Sequence, residues 1–257
     1  MLQNLSVANV AIILVVGAVA GFLNTMAGAG SLLTLPVLIF MGLPSAVANG
    51  TNRIAIEIKS ITGVLGFRRK GIFDYKRSLL FSIPTLLGAI VGALAAIKVP
   101  DTLFNPILAV VMVIMLGVIF WNPAKRLQQG GVEMTPARWV ATSIALFFTG
   151  IFGGFIQAGV GFLLISVLVG IVGLNLVKTN AHKVFITGAY TLFALGIFIV
   201  NGKVNWVLGL VLAAGMAVGA WLGSHFAVTK GEKWIRAFLI LAVVAMAVKL
   251  SGIVPGW

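Results

Sequence analysis

Six polar residues stand close together in an otherwise apolar chain: Asn49, Asn52, Arg53, Glu57, Lys59 and Ser60. At 100° per residue they fall within one half of a helical wheel, while Val47, Ile54, Ile58, Ile61 and Leu65 fill the other half. A second set follows 131 positions later, where Asn180, Lys183, Thr187, Tyr190 and Thr191 stand for Asn49, Asn52, Ile56, Lys59 and Ser60. Arg53 becomes Val184 and Glu57 becomes Gly188, so the two faces differ in charge. Cations flanked by side-chain amides suit the binding of a small anion. Arg53 and Lys183 would supply the charge, and Asn49, Asn52 and Asn180 would orient the ligand. Glu57 is the one acid on either face. It is a candidate for carrying a coupling proton, or for holding Arg53 until substrate arrives. A plainer reading pairs Arg53 with Glu57 at i, i+4 and lets Lys59 snorkel to a membrane surface.

Two glycine loops precede these faces. Ala27-Gly28-Ala29-Gly30-Ser31 returns as Ala158-Gly159-Val160-Gly161-Phe162. Each interrupts a long apolar segment and is followed by a short one. Freed amides and a helix N-terminus bind anions without a formal cation. Gly28, Ala29, Gly30 and Ser31 are therefore binding candidates, as are Gly159 and Gly161; Gln157 and Asn24 lie beside the loops. Neither loop is a nucleotide fingerprint, because no strand precedes it.

The surroundings make those charges costly. The chain has 257 residues, 60% hydrophobic and 9% charged, against about 45–50% and about 25% for soluble domains. About 20 apolar residues span a bilayer as helix, and the first charge is Arg53. The chain reads as an all-α polytopic membrane protein. The formal charge of +13 fits basic loops held on the cytoplasmic side better than nucleic-acid binding. Two His, five acids and no Cys give no metal cluster, no disulfide and no paired-acid enzyme, and no cofactor is expected. His182 falls at the place of Thr51, off the polar face. The N-terminal apolar run lacks the basic start of a signal peptide and reads as an uncleaved first helix.

Shifting by 131 (159 − 28) aligns Gly42 with Gly173, Gly71 with Gly202, Asp74 with Asn205 and Gly88 with Gly219. This predicts two repeats, 1–121 and 138–257, joined by a cytoplasmic linker, 122–137. Each has about five segments: 7–26, 31–41, 45–67, 75–97 and 102–121, then 138–157, 162–172, 176–200, 206–228 and 234–250. The second of each is too short to cross about 30 Å of hydrocarbon, so the repeats would meet at short or broken helices. Arg68, Arg69, Lys70, Lys76 and Arg77 read as cytoplasmic, and the equivalent turn with Lys203 as external. Equivalent turns on opposite faces predict inverted repeats with both termini outside, periplasmic if the membrane is a bacterial inner one. Gly17, Gly21, Gly88, Gly92, Gly150, Gly154, Gly219 and Gly223 read as close-packing positions.

The motif Ala27-Gly28-Ala29-Gly30-Ser31, Pro36, Gly42-Leu43-Pro44 and Gly50-Thr51-Asn52 resembles the signature of the TauE/SafE sulfite exporter family. The resemblance covers nearly the whole chain. It departs from the glycine-richer family loop at Ala27 and Ala29, and Lys178-Thr179-Asn180-Ala181-His182-Lys183 replaces a Gly-Thr-Asn-like triplet. The resemblance implies export of sulfite, sulfoacetate or other sulfonates across a bacterial inner membrane.

The expectation is a secondary transporter working by alternating access, with a small anion and the lipid bilayer as partners and homo-oligomerisation left open. The rivals are an anion channel, a permease for other anions such as carboxylates, an intramembrane enzyme and a non-transporting receptor.

Overall fold

The computed structural model describes residues 7–27, 30–69, 71–121 and 133–226. Among them every regular element is helical: α1 (Val7–Ala27), α2 (Ser31–Phe40), α3 (Ser45–Arg69), α4 (Tyr75–Ala96), α5 (Asp101–Trp121), α6 (Pro136–Phe155), α7 (Val160–Gly170), α8 (Leu176–Val200) and α9 (Trp206–Phe226). The expected tenth segment, 234–250, lies outside the described residues, as do Gly28, Ala29 and linker positions 122–132. Among the described residues, four helices (α1, α4, α6 and α8) are long and apolar enough to cross a membrane. The chain is a multi-pass membrane protein. α3 is as long as α8, but its low hydropathy reflects the polar face that includes Arg53, Glu57 and Lys59.

The helix ends repeat in detail. Gly42 and Gly173 both have positive φ, as do Gly71 and Gly202. After α3, Ile72 N donates to Phe67 O, and after α8, Lys203 N donates to Phe198 O. These five-residue closures need a left-handed residue, which glycine adopts without a Cβ penalty. Asp74 Oδ1 then accepts from Arg77 N at 3.1 Å, and Asn205 Oδ1 from Leu208 N at 3.1 Å. Each is an N-cap for the next helix.

Glycine seams set the helix directions. Gly17 lies against Leu212 and Gly21 against Met216, so α1 and α9 run parallel. Gly150 lies against Thr85 and Gly154 against Ala89, so α4 and α6 also run parallel. Small residues allow this approach where no hydrophobic drive separates helix from lipid. Gly50, Thr51 and Ile54 of α3 meet Lys203, Asn205 and Gly209 along α9, again in parallel. At the centre α3 and α8 run antiparallel: Gly50 meets Phe198, Ser60 meets Gly188 and Val184 meets Gly63. The first and third helices of each half thus run with the fourth helix of the other half.

One register is corrected. The seam partners Met216 and Thr85 differ by 131 (216 − 85), but the glycines they hold, Gly150 and Gly21, differ by 129 (150 − 21). The gapless alignment therefore fails before the loops. Two extra residues in the second copy are taken up between Gly150 and Gly173. For this reason α7 begins at Val160 rather than at 162.

Candidate anion site between the broken helices

Gln157 is the first unusual residue of the second break. Its φ is +64°, the left-handed region that costs a side-chain-bearing residue about 1–2 kcal/mol, and Gly159 follows at +82°. Gly159 caps α7 and packs against Met115 of α5. Gln157 Nε2 donates to Thr191 Oγ1 at 2.9 Å, while its Oε1 is buried without a partner among the described residues. Val160 and Gly161 form the first turn of α7, so Gly161 belongs to the helix and not to the loop. At the first break, Gly30 abuts Ala20 of α1 and Ser31 opens α2, fully enclosed.

These two breaks meet. Asn24 and Ser31 from the first, Gln157, Val160 and Gly161 from the second, and Ile56, Lys183, Thr187 and Tyr190 from the central helices line one cavity of about 10 Å³. That is room for about one water-sized group. α7, 11 residues long, presents its N-terminus there, with the partial positive charge of unpaired amides.

One lysine lines the cavity, and a second stands behind its wall at Asn24. Lys183 is buried, and its Nζ donates to Asn180 Oδ1 at 2.7 Å. Lys59 is 2% exposed, and its Nζ donates to Asn24 Oδ1 at 2.9 Å. Lys59 therefore does not snorkel. Its counterpart Tyr190 packs against Gly153, which takes the place of Asn24 once the shift of 129 is applied. Among the described residues the one ion pair joins Arg77 to Asp74 at 3.7 Å. Both buried ammonium groups are thus held by neutral amides.

Arg53 lies elsewhere. It is 0% exposed, and its Nη2 donates to Gly153 O at 3.1 Å and to Gly154 O. Its guanidinium lies 4.7 Å from the centre of the Phe198 ring. Asn49 Nδ2 donates to Phe155 O at 2.6 Å. Asn52 Oδ1 accepts from Thr34 Oγ1 at 2.6 Å. Glu57 does not hold Arg53. Its Oε1 faces Gly188, its own counterpart in the other half, and Oε2 is buried without a partner among the described residues. His182 Nδ1 lies 2.8 Å from Ser78 Oγ, the counterpart of Thr51 beside Gly209, and serves the seam of α8 with α4.

Of the sequence candidates, Ser31, Gln157, Gly161 and Lys183 reach the cavity, with Asn180 one bond behind and Gly30 and Gly159 capping the short helices. Asn49, Asn52 and Arg53 do not line it. Gly28 and Ala29 lie outside the described residues. Thr187 and Tyr190 were legible on the polar face of α8 but gave no reason to rank them above core. Ile56 gave no signal.

Residues 13–250 match the family model for the sulfite exporter TauE/SafE. The chain belongs to the TauE/SafE sulfite exporter family. A probable membrane transporter protein of Sinorhizobium sp, ORF9, is 29% identical over 251 residues, covering 97% of this chain and 95% of the relative. The probable membrane transporter protein YfcA of Escherichia coli K12 is 31% identical over 238 residues, covering 91% and 87%. A probable membrane transporter protein of Haemophilus influenzae is 29% identical over 243 residues, covering 93% of each. No solved structure matches the chain. Membership makes this chain a transmembrane transporter.

Proposed function

We propose that this family member is a secondary transporter that exports small sulfur oxyanions, such as sulfite or sulfoacetate, by alternating access of two inverted repeats. One observation carries the reading. A buried lysine, Lys183, lines a cavity where both broken helices meet, and a second, Lys59, stands one hydrogen bond behind it at Asn24, each held by a neutral amide. Buried charges want a counter-charge, and an anion between Lys183 and the α7 N-terminus, with Lys59 behind, supplies it. A tetrahedral or pyramidal oxyanion could accept from the Lys183 ammonium and from the amides of α7 at once. The sulfur chemistry is taken from the family description.

Inversion is supported by the antiparallel run of the equivalent helices α3 and α8. Arg68, Arg69, Lys76, Arg77, Arg138 and Lys178 gather at one rim, and Lys98 and Lys203 at the other. The first rim is then cytoplasmic and the start of α1 periplasmic, in a bacterial inner membrane. The cavity is too small for sulfite as it stands, so admission requires the half-helices to part. That favours a transporter over an open anion channel. Glu57 contacts its own counterpart Gly188, so it sits on the axis relating the halves and is reachable from each. This suits a coupling proton.

The test is sulfite efflux and exchange from proteoliposomes. Saturable counter-exchange is expected. Unitary currents without exchange would make the protein a channel, and carboxylate transport without sulfite transport would reassign the cargo.

A further inference from the structure

The last carbonyls of α6 have no helical partner beyond the break, and in a membrane they cannot turn to water. α3 satisfies all but the first of them. Phe152 O is closed by Ile156 N, Gly153 O and Gly154 O accept from Arg53, and Phe155 O accepts from Asn49. In transporters with discontinuous helices, unwound carbonyls and half-helix C-termini commonly coordinate an alkali cation. Here a guanidinium stands in that place. It is wholly enclosed, stacked at Phe198, and supplied from one hundred residues earlier in the chain. The first half lacks this device, because α8 carries Val184 where α3 carries Arg53.

We propose that Arg53 is a tethered cation that takes the part of a coupling metal ion at the break between α6 and α7, and is not a ligand of the transported anion. Its charge faces the negative end of the α6 dipole, which leaves Lys183, backed by Lys59 at Asn24, as the cation of the cavity. The role is one of positioning: Arg53 fixes the C-terminal end of α6, and through the four-residue turn 156–159 it fixes the α7 N-terminus beside the cavity. Transport then needs no sodium at this break. The inference builds on the transporter reading, but its first readout is independent of any substrate.

Hydrogen exchange on purified protein tests it directly. A charged hydrogen bond is worth about 1.5–3 kcal/mol. Arg53→Ala should therefore speed exchange in peptides spanning 153–162 by about tenfold or more, with α1 peptides unchanged. Low-millimolar guanidinium should restore protection. Arg53→Lys, which keeps charge but loses the fork, should fall between, and it serves if Arg53→Ala does not fold. The second readout is the sulfite concentration that half-saturates a thermal shift. It should change by less than about threefold in Arg53→Lys and be lost in Lys183→Met. Unchanged exchange at 153–162, or protection that guanidinium does not restore, would overturn the proposal. So would sulfite affinity lost in Arg53→Lys as completely as in Lys183→Met, or wild-type sulfite efflux that stops when choline replaces sodium. Absence of any sulfite shift in the wild type would sink the substrate assignment and leave the exchange result to decide Arg53.

Discussion

Lys183 and Arg53 are both buried cations on central helices, yet their partners divide their work. Arg53 donates to backbone oxygens through Nη2, with Nε and Nη1 lacking a partner among the described residues, and Lys183 donates to an amide that brings no charge. Charge-assisted bonds to a ligand are worth about 1.5–3 kcal/mol. Lys183→Met should therefore raise the KM for sulfite efflux by about tenfold to hundredfold. Lys59→Met should act in the same direction, and its neighbour Asn24 should then lose its role as a tether. An unchanged KM in both variants would remove the lysines from the site. The residue types at these places were legible in the sequence, because polar groups within long apolar runs are few. Their partners were not. Arg53 looked like a substrate ligand because the carbonyls it holds belong to Gly153 and Gly154, and a backbone oxygen leaves no mark in a sequence pattern. Lys59 looked like a surface group because its anchor, Asn24, belongs to another helix.

At the scale of elements, hydropathy and paired turns placed nine helices within two residues of their observed ends. The segments are long, and glycine or proline marks many of the breaks. The two-residue misses at α6 and α7 are instructive. Their bounds were taken from the first copy by a constant shift, whereas the true offset of α6 against α1 is 129. A repeat keeps its helix partners more faithfully than its loop lengths. The seams should be intolerant of bulk for the same geometric reason. A Cβ at Gly150 would sit on the Thr85 carbonyl, and one at Gly154 on that of Ala89, whereas Gly196 faces open space. Gly150→Val and Gly154→Val should each destabilise the protein by about 1–3 kcal/mol or more. Gly196→Ala should be neutral or stabilising by up to about 1 kcal/mol. Thermal unfolding in detergent checks both, and equal midpoints for Gly150→Val and wild type would refute the seam.

For the whole molecule, the helix directions and the segregation of basic residues make one topology. The chain contains no cysteine, so single cysteines can be introduced without altering a background. Lys76→Cys and Lys203→Cys should be labelled by an impermeant maleimide from opposite sides, with Lys203→Cys reactive in intact cells. Labelling of both from one side would end the inverted arrangement.

The glycine seams also bear on how the protein is made. α1 finds its main partner in α9, which leaves the ribosome some 180 residues later (206 − 27), and α4 must wait for α6. The first helix therefore spends most of synthesis in lipid with its small-residue face uncovered. Neither half alone can close its own seam. Expressed separately, each half should be degraded, and co-expressed halves should recover function only together. Delayed pairing of this kind makes the chain sensitive to anything that holds α9 back. A truncation before residue 206 would leave α1 correctly inserted but without the helix that fills its glycine seam.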